Sequence, residues 1–132
     1  MIATDIDRES LSTAKAGEYE PKSLKNVNKV LIKQYFDQDG AKHKVKDEIK
    51  KLITFYKHNL ISDQPFENID IIFCRNVFIF FNRDLQEHLV MNFYKALRKD
   101  GYLVMGKVET FLGGAKDLFH VIDFEERIFQ KI

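Results

Sequence analysis

The run Ile69-Asp70-Ile71-Ile72-Phe73-Cys74 constrains the fold more than any other feature of the chain. It is followed at once by Arg75-Asn76 and by a second apolar patch from Val77 to Phe81. A run this short and this apolar, broken only by Asp70, has the character of a strand buried on both faces of a parallel sheet. Two strongly polar residues held between apolar patches then fall at the mouth of that strand. Parallel strands need crossover connections, so a sheet of this kind demands helices between its strands.

The rest of the chain supplies that alternation. Met1 to Thr4 is a short extended run ending in the acidic pair Asp5 and Asp7. Arg8 to Ala16 reads as a helix, with Leu11 and Ala14 inward and Gly17 as its stop. Glu18 to Asn28 is polar and mixed. Val30-Leu31-Ile32 and Tyr35-Phe36 suggest a second short helix ended by Asp39-Gly40. Lys42 to Lys46 has the pattern of an exposed strand, and Asp47 to Lys51 is short and highly charged. Leu52 to Tyr56 is rich in β-branched and aromatic residues and reads as a strand. Beyond the second apolar patch, Asn82 caps a helix whose positive end suits Asp84. Leu85, Leu89, Phe93 and Leu97 form its apolar stripe, and Gly101 is its expected stop. Tyr102 to Met105 is a strand, Gly113-Gly114 a loop, and Val121-Ile122 and Phe124 to Ile132 closing strands. The expectation is one α/β domain over residues 1–132 with a mostly parallel sheet.

Composition narrows the function classes. At 132 residues, 45% of them apolar, the chain has the size and content for one packed core. Lys and Arg total 21 against 20 for Asp and Glu, and the net charge of +1 offers no argument for nucleic acid or a membrane surface. The single cysteine, Cys74, allows no internal disulfide, which fits a reducing cytoplasm. Neither an 18-residue apolar stretch nor a signal-peptide pattern is seen, so a cytoplasmic protein without membrane insertion is expected. His43, His58, His88 and His120 are scattered without metal-ligand spacing, and no metal is expected.

In open α/β sheets ligands sit beyond the carboxyl ends of the strands. Polar residues directly after apolar runs are therefore the candidates: Asp5, Asn59, Asn76 and Glu109. Asp5 suits the two hydroxyls of a ribose, or else it or Asp7 caps the following helix. Asn59 can donate and accept at a purine edge, or else satisfies its own loop backbone. Arg75 and Asn76 lie at the strand mouth, where an arginine is normally paired or faces an anion. Cys74 reads as a small core residue, since no activating base is near it in sequence.

Taken together these segments resemble a known family. A-T-D-I-D at 3–7, A-x-x-G-x-Y from Ala14 to Tyr19, Y-F at 35–36, F-x-x-H-N-L at 55–60, D-I-I-F-C-R-N-V-F-I-F-F at 70–81 and G-Y-L-V-M-G-x-x-E at 101–109 look like successive parts of CheR-type chemotaxis protein-glutamate methyltransferases. The C-R-N-V segment is the most specific. The resemblance implies a Rossmann-like sheet binding S-adenosylmethionine, and methyl transfer to glutamates on the cytoplasmic helices of chemoreceptors. By position it assigns Asp5 to the ribose hydroxyls and Asn59 and Leu60 to the adenine. Asn76, with Arg75 or Val77 beside it, lines the methionine end and the target pocket, and Arg75 and Asn76 are the expected catalytic pair. A glutamate carboxylate is already ionised near neutral pH, so the chemistry asks for alignment and exclusion of water rather than a strong base.

The chain departs from the family pattern in several places. Nothing matching the family's N-terminal helical domain or the first cofactor-binding strand precedes A-T-D-I-D, and the expectation is a truncated form with little activity alone. In the family's sheet that strand lies between those of residues 2–5 and 69–74; the expectation is that these pair directly, that another chain supplies a strand, or else that the isolated chain is poorly folded, aggregation-prone or stable only as part of something larger. Phe80 stands where a tyrosine is usual, Asp37 and Gln38 where some members carry arginine, and Val108 where serine precedes the glutamate. The Asp37–Val45 turn is short for docking a receptor tail. A non-catalytic, methyltransferase-like module in a signalling pathway is the alternative expectation.

Overall fold

In a computed structural model, residues 1–109 and 117–132 are described, and the chain divides into two compact units, Met1–Asn59 and Leu60–Ile132. The expected loop glycines Gly113-Gly114 lie outside the described residues.

The first unit runs β1 (Ile2–Asp5), α1 (Arg8–Ala16), β2 (Glu18–Tyr19), a 3-10 turn at Pro21–Leu24, α2 (Lys29–Tyr35), β3 (Phe36–Asp39), β4 (Lys42–Val45), α3 (Asp47–Lys50) and β5 (Thr54–Lys57). β1 and β5 pair in parallel, Ile2 opposite Thr54 and Asp5 opposite Lys57. α1 has the expected bounds. The Asp7 side chain accepts from the Ser10 backbone N–H at 2.7 Å and from its hydroxyl at 2.8 Å. Those bonds, the backbone one foremost, hold the Asp7 carboxyl below its usual range. Gly17 closes the helix at φ 68°, a left-handed conformation that glycine adopts without steric cost.

Two boundaries differ from expectation. Asp39-Gly40 does not end α2, which stops at Tyr35; it turns β3 into β4, with Gly40 at φ 58° in a two-residue hairpin loop. β2, β4 and β3 form an antiparallel sheet: β4 is the expected exposed strand, β2 lies in the segment that reads as polar and mixed, and β3 starts at Phe36, which reads as part of the second helix. β5 begins at Thr54 rather than Leu52, because the Leu52 and Ile53 amides bond back to the carbonyls of Ile49 and Lys50 and extend the turn of α3.

The second unit runs β6 (Ile69–Cys74), a 3-10 turn at Phe78–Phe80, α4 (Arg83–Ala96), β7 (Leu97–Met105), β8 (Phe119–Asp123) and β9 (Ile128–Lys131). The sheet order is β6-β7-β9-β8, with β6 and β7 parallel and the last two strands antiparallel to their neighbours. α4 packs Leu89, Val90 and Phe93 against Leu103, Met105 and Phe129 of the sheet. Its start is the expected Asn82 cap, whose side-chain oxygen accepts from the Leu85 N–H at 3.0 Å.

α4 ends at Ala96, before Gly101. Leu97 is already opposite Ile69 in the sheet, and Asp100 at φ 61° accompanies the irregularity in the β6–β7 register between Ile69 and Ile71. Gly101 serves close packing rather than a helix stop: an added Cβ would lie 3.0 Å from the Arg98 carbonyl and 3.1 Å from that of Ile69. The helix end is closed by Lys131, whose ammonium donates to the Tyr94 and Leu97 carbonyls at 2.6 Å each and sits 4.3 Å from the Tyr94 ring centre. A cation there also complements the negative end of the helix. Lys131→Met is expected to lower stability by about 1–3 kcal/mol, since charge-assisted bonds are lost and two carbonyls lose a donor; urea denaturation measures it.

β6 departs from the expected burial on both faces. Ile72 and Cys74 face the core under α4, but Ile71 is exposed and Phe73 is 73% exposed. α4 covers one face only, and period-two alternation puts residues 71 and 73 on the other. β6 is an edge strand of the second unit's sheet. No helix among the described residues is long and apolar enough to cross a membrane.

Candidate functional site

Both parallel pairs deliver the candidate residues to strand carboxyl ends. In the first unit Asp5 ends β1 and is exposed. Its Oδ1 accepts from the Asp7 N–H at 2.9 Å, shaping the turn that lets Asp7 cap α1. The division of labour is clear: Asp7 is the cap, and Asp5 stands at the strand end. The His58 N–H donates to the Asp5 carbonyl at 3.0 Å, so the segment leaving β5, with half-buried Asn59 next in line, lies beside the end of β1.

In the second unit Leu60 packs against the core, Arg75 is exposed and makes no ion pair among the described residues, and Val77 is half-buried against the core. Asn76 is exposed and adopts φ 60°, a left-handed conformation that asparagine tolerates better than most residues. The chain then tightens into the 3-10 turn, sending Phe78 into the core 6.1 Å from Phe93 and leaving Phe80 78% exposed. Gln86 of α4 holds this turn by donating to the Phe78 and Phe81 carbonyls at 2.9 Å each.

The residue that organises the strand mouth is Glu109, which the sequence marks as a polar residue after a strand and as the end of a family-like segment. It is 4% exposed, the one buried charged side chain among the described residues. Its Oε2 accepts from the Gly106 N–H at 2.6 Å and the Asn76 N–H at 3.0 Å, and its Oε1 from the Phe78 N–H at 2.8 Å. One carboxylate thus ties the exit of β7 to the exit of β6. Its signals in the sequence are an acid three residues beyond the glycine that ends an apolar strand and its place closing the family-like G-Y-L-V-M-G-x-x-E segment, neither of which gives its bonds.

Cys74 sits beneath this network. Burial first, and then the Glu109 charge, push its thiol up to about 12, so it is a core residue and not a nucleophile. A shallow hollow of about 550 Å³ lined by Asp7, Glu9, Ser10, Thr13, Ala14 and Tyr19 includes none of the candidates named from the sequence.

Comparison with known proteins gives the site its context. The family model of the CheR methyltransferase SAM binding domain matches residues 1–128. A probable chemotaxis protein methyltransferase of Rhizobium etli is 38% identical over 124 residues, covering 90% of this chain and 46% of that protein. The chemotaxis protein methyltransferase of Borreliella burgdorferi is 37% identical over 125 residues, covering 92% of this chain and 44% of its own. A 104.1 kDa protein of Rhodobacter capsulatus is 31% identical over 132 residues, which is 14% of its length. The chain spans less than half the length of these curated relatives. With its α/β strands, its R-N-V turn and a family-model match over residues 1–128, the chain belongs to the CheR family, matching its S-adenosylmethionine-binding domain.

Proposed function

We propose that this chain is the cofactor-holding part of a protein-glutamate O-methyltransferase that acts on the cytoplasmic helices of chemoreceptors. The observation that carries the reading is the placement of Asp5, Asn59 and Asn76 at the carboxyl ends of parallel strands, in the order of the family's segments. The donor set suits S-adenosylmethionine. Asp5 is an acceptor for paired ribose hydroxyls, Asn59 offers a donor and an acceptor to adenine beside apolar Leu60, and Asn76 presents an amide next to Arg75 and Val77. The bound cofactor supplies an activated methyl on a sulfonium leaving group. The protein's part is to orient a receptor glutamate, already anionic, in line with that methyl and to exclude water. Arg75 attracts the carboxylate and Asn76 fixes its approach.

Turnover by the chain alone is expected to be low. β1 and β6 belong to separate sheets, and each leaves one edge without a strand partner among the described residues. One observation favours a second reading, a docking module without catalysis: exposed Phe80, at the position of the family's usual tyrosine, has no hydroxyl to offer a reacting group.

A thermal melt of the chain with and without S-adenosylhomocysteine separates the two. The enzyme reading expects a cooperative melt shifted upward by ligand, by about 2.7 kcal/mol of stabilisation at 100 times Kd. A cooperative melt with no shift supports the docking module. Rapid methyl transfer by the chain alone to receptor fragments would overturn the expectation of low turnover.

A further inference from the structure

We infer that Glu109 is a positioning residue that sets the conformation of the Asn76 turn and, through it, the affinity of the site for the cofactor; the affinity half of this rests on the function proposed above. A buried carboxylate is costly unless its charge is met by donors. No cation meets Glu109 among the described residues; three backbone N–H groups do, from Asn76, Phe78 and Gly106. Two of the three donors bracket Val77, so the carboxylate grips the turn on both sides of its apex. The third anchors the grip to β7.

Asn76 depends on that grip. Its positive φ is a conformation that local preference alone does not hold. Releasing Glu109 leaves three buried or half-buried donors competing for other acceptors, and the turn then samples the ordinary extended and helical regions. The Asn76 amide and the Arg75 guanidinium leave their places with it. Gly106 shows how closely the parts are fitted: a Cβ there would lie 2.6 Å from both Asn76 Oδ1 and Glu109 Oε2. Every hydrogen bond of the Glu109 carboxylate among the described residues is to a backbone N–H, so it acts through the backbone of its neighbours.

The test pairs Glu109→Gln with Glu109→Ala in the full chain and reads amide hydrogen exchange and S-adenosylhomocysteine affinity. The Gln variant is isosteric and keeps one acceptor oxygen, so it guards against simple unfolding. In it the amide group places N–H against N–H on one side of the grip. Exchange at Asn76, Phe78 and Gly106 is expected to accelerate about tenfold or more, the scale of one charge-assisted bond, while Ile72 and Leu103 keep their protection. Ligand affinity falls by a similar factor, more in the Ala variant than in the Gln variant. Unchanged exchange at Asn76 and Phe78 in a folded variant overturns the inference. So does accelerated exchange with affinity equal to the parent chain. If the parent chain itself binds no S-adenosylhomocysteine, the proposed function fails, and the exchange measurement alone still decides whether Glu109 holds the turn.

Discussion

Leu89→Ala is expected to remove about 2–5 kcal/mol of stability from the unit formed by residues 60–132, a large part of what a domain of this size possesses. Leu89 is 0% exposed and lies at the centre of the α4 face that covers the sheet, among Val90, Phe93, Leu103 and Met105. Truncation removes three carbons from a close-packed site, and the cost has two parts. The lost burial is paid in full, and the cavity adds to it wherever the surroundings cannot collapse. Collapse is restricted here because α4 is pinned at both ends, by the Asn82 cap and by Lys131 on its final carbonyls. The measurement is urea denaturation followed by amide exchange at β6 and β7. Protection at Ile72, Leu103 and Met105 should fall with the global stability. A loss below 1 kcal/mol would show that the α4–sheet core is not the main source of stability in this unit.

That core was legible in the sequence because it obeys a single periodicity. Leu89 and Phe93 on α4 are helically spaced, and the matching strands are short apolar runs, so local pattern and tertiary role agree. α1 was legible to the residue, since a side-chain cap and a left-handed glycine mark its two ends. The hairpin of β3 and β4 was not, because Asp39-Gly40 ends a helix or turns a hairpin equally well, and only the pairing of Phe36 with Val45 decides. The exposed face of β6 escaped for a different reason. Ile71 and Phe73 carry the same apolar signal as Ile72 and Cys74, and hydrophobicity cannot say whether a partner covers them. At the strand ends, Asp5, Asn59 and Asn76 are legible as candidates because each follows an apolar run. The role of Glu109 was hidden, since it consists of bonds to backbone N–H groups, and backbone leaves no trace in residue identity.

Gly106→Ala is expected to weaken S-adenosylhomocysteine binding by roughly 5- to 150-fold while the chain remains folded. Gly106 has an ordinary backbone conformation, so the argument is one of space alone. The new methyl would lie 2.6 Å from Asn76 Oδ1, 2.6 Å from Glu109 Oε2 and 2.9 Å from the Asn76 backbone nitrogen. Of these, the asparagine oxygen belongs to a side chain free to rotate. The other two do not yield easily: Glu109 is held by its N–H donors, and the Asn76 nitrogen is one of those donors. Relief therefore comes by moving the turn away from β7, at the cost of the carboxylate's bond to Asn76. Overpacking of this kind costs about 1–3 kcal/mol, and a loss of that size in the liganded geometry is roughly a factor of 5 to 150 in affinity. Titration calorimetry gives the affinity, and a urea melt of the same sample gives the stability. Wild-type affinity in a variant of lowered stability would mean that the strand mouth accommodates the methyl without disturbing the ligand. The Asn76 turn would then play no part in holding the cofactor. Lowered affinity with the Leu103 amide still protected would place the damage where β6 and β7 end, at the three amides that Glu109 gathers.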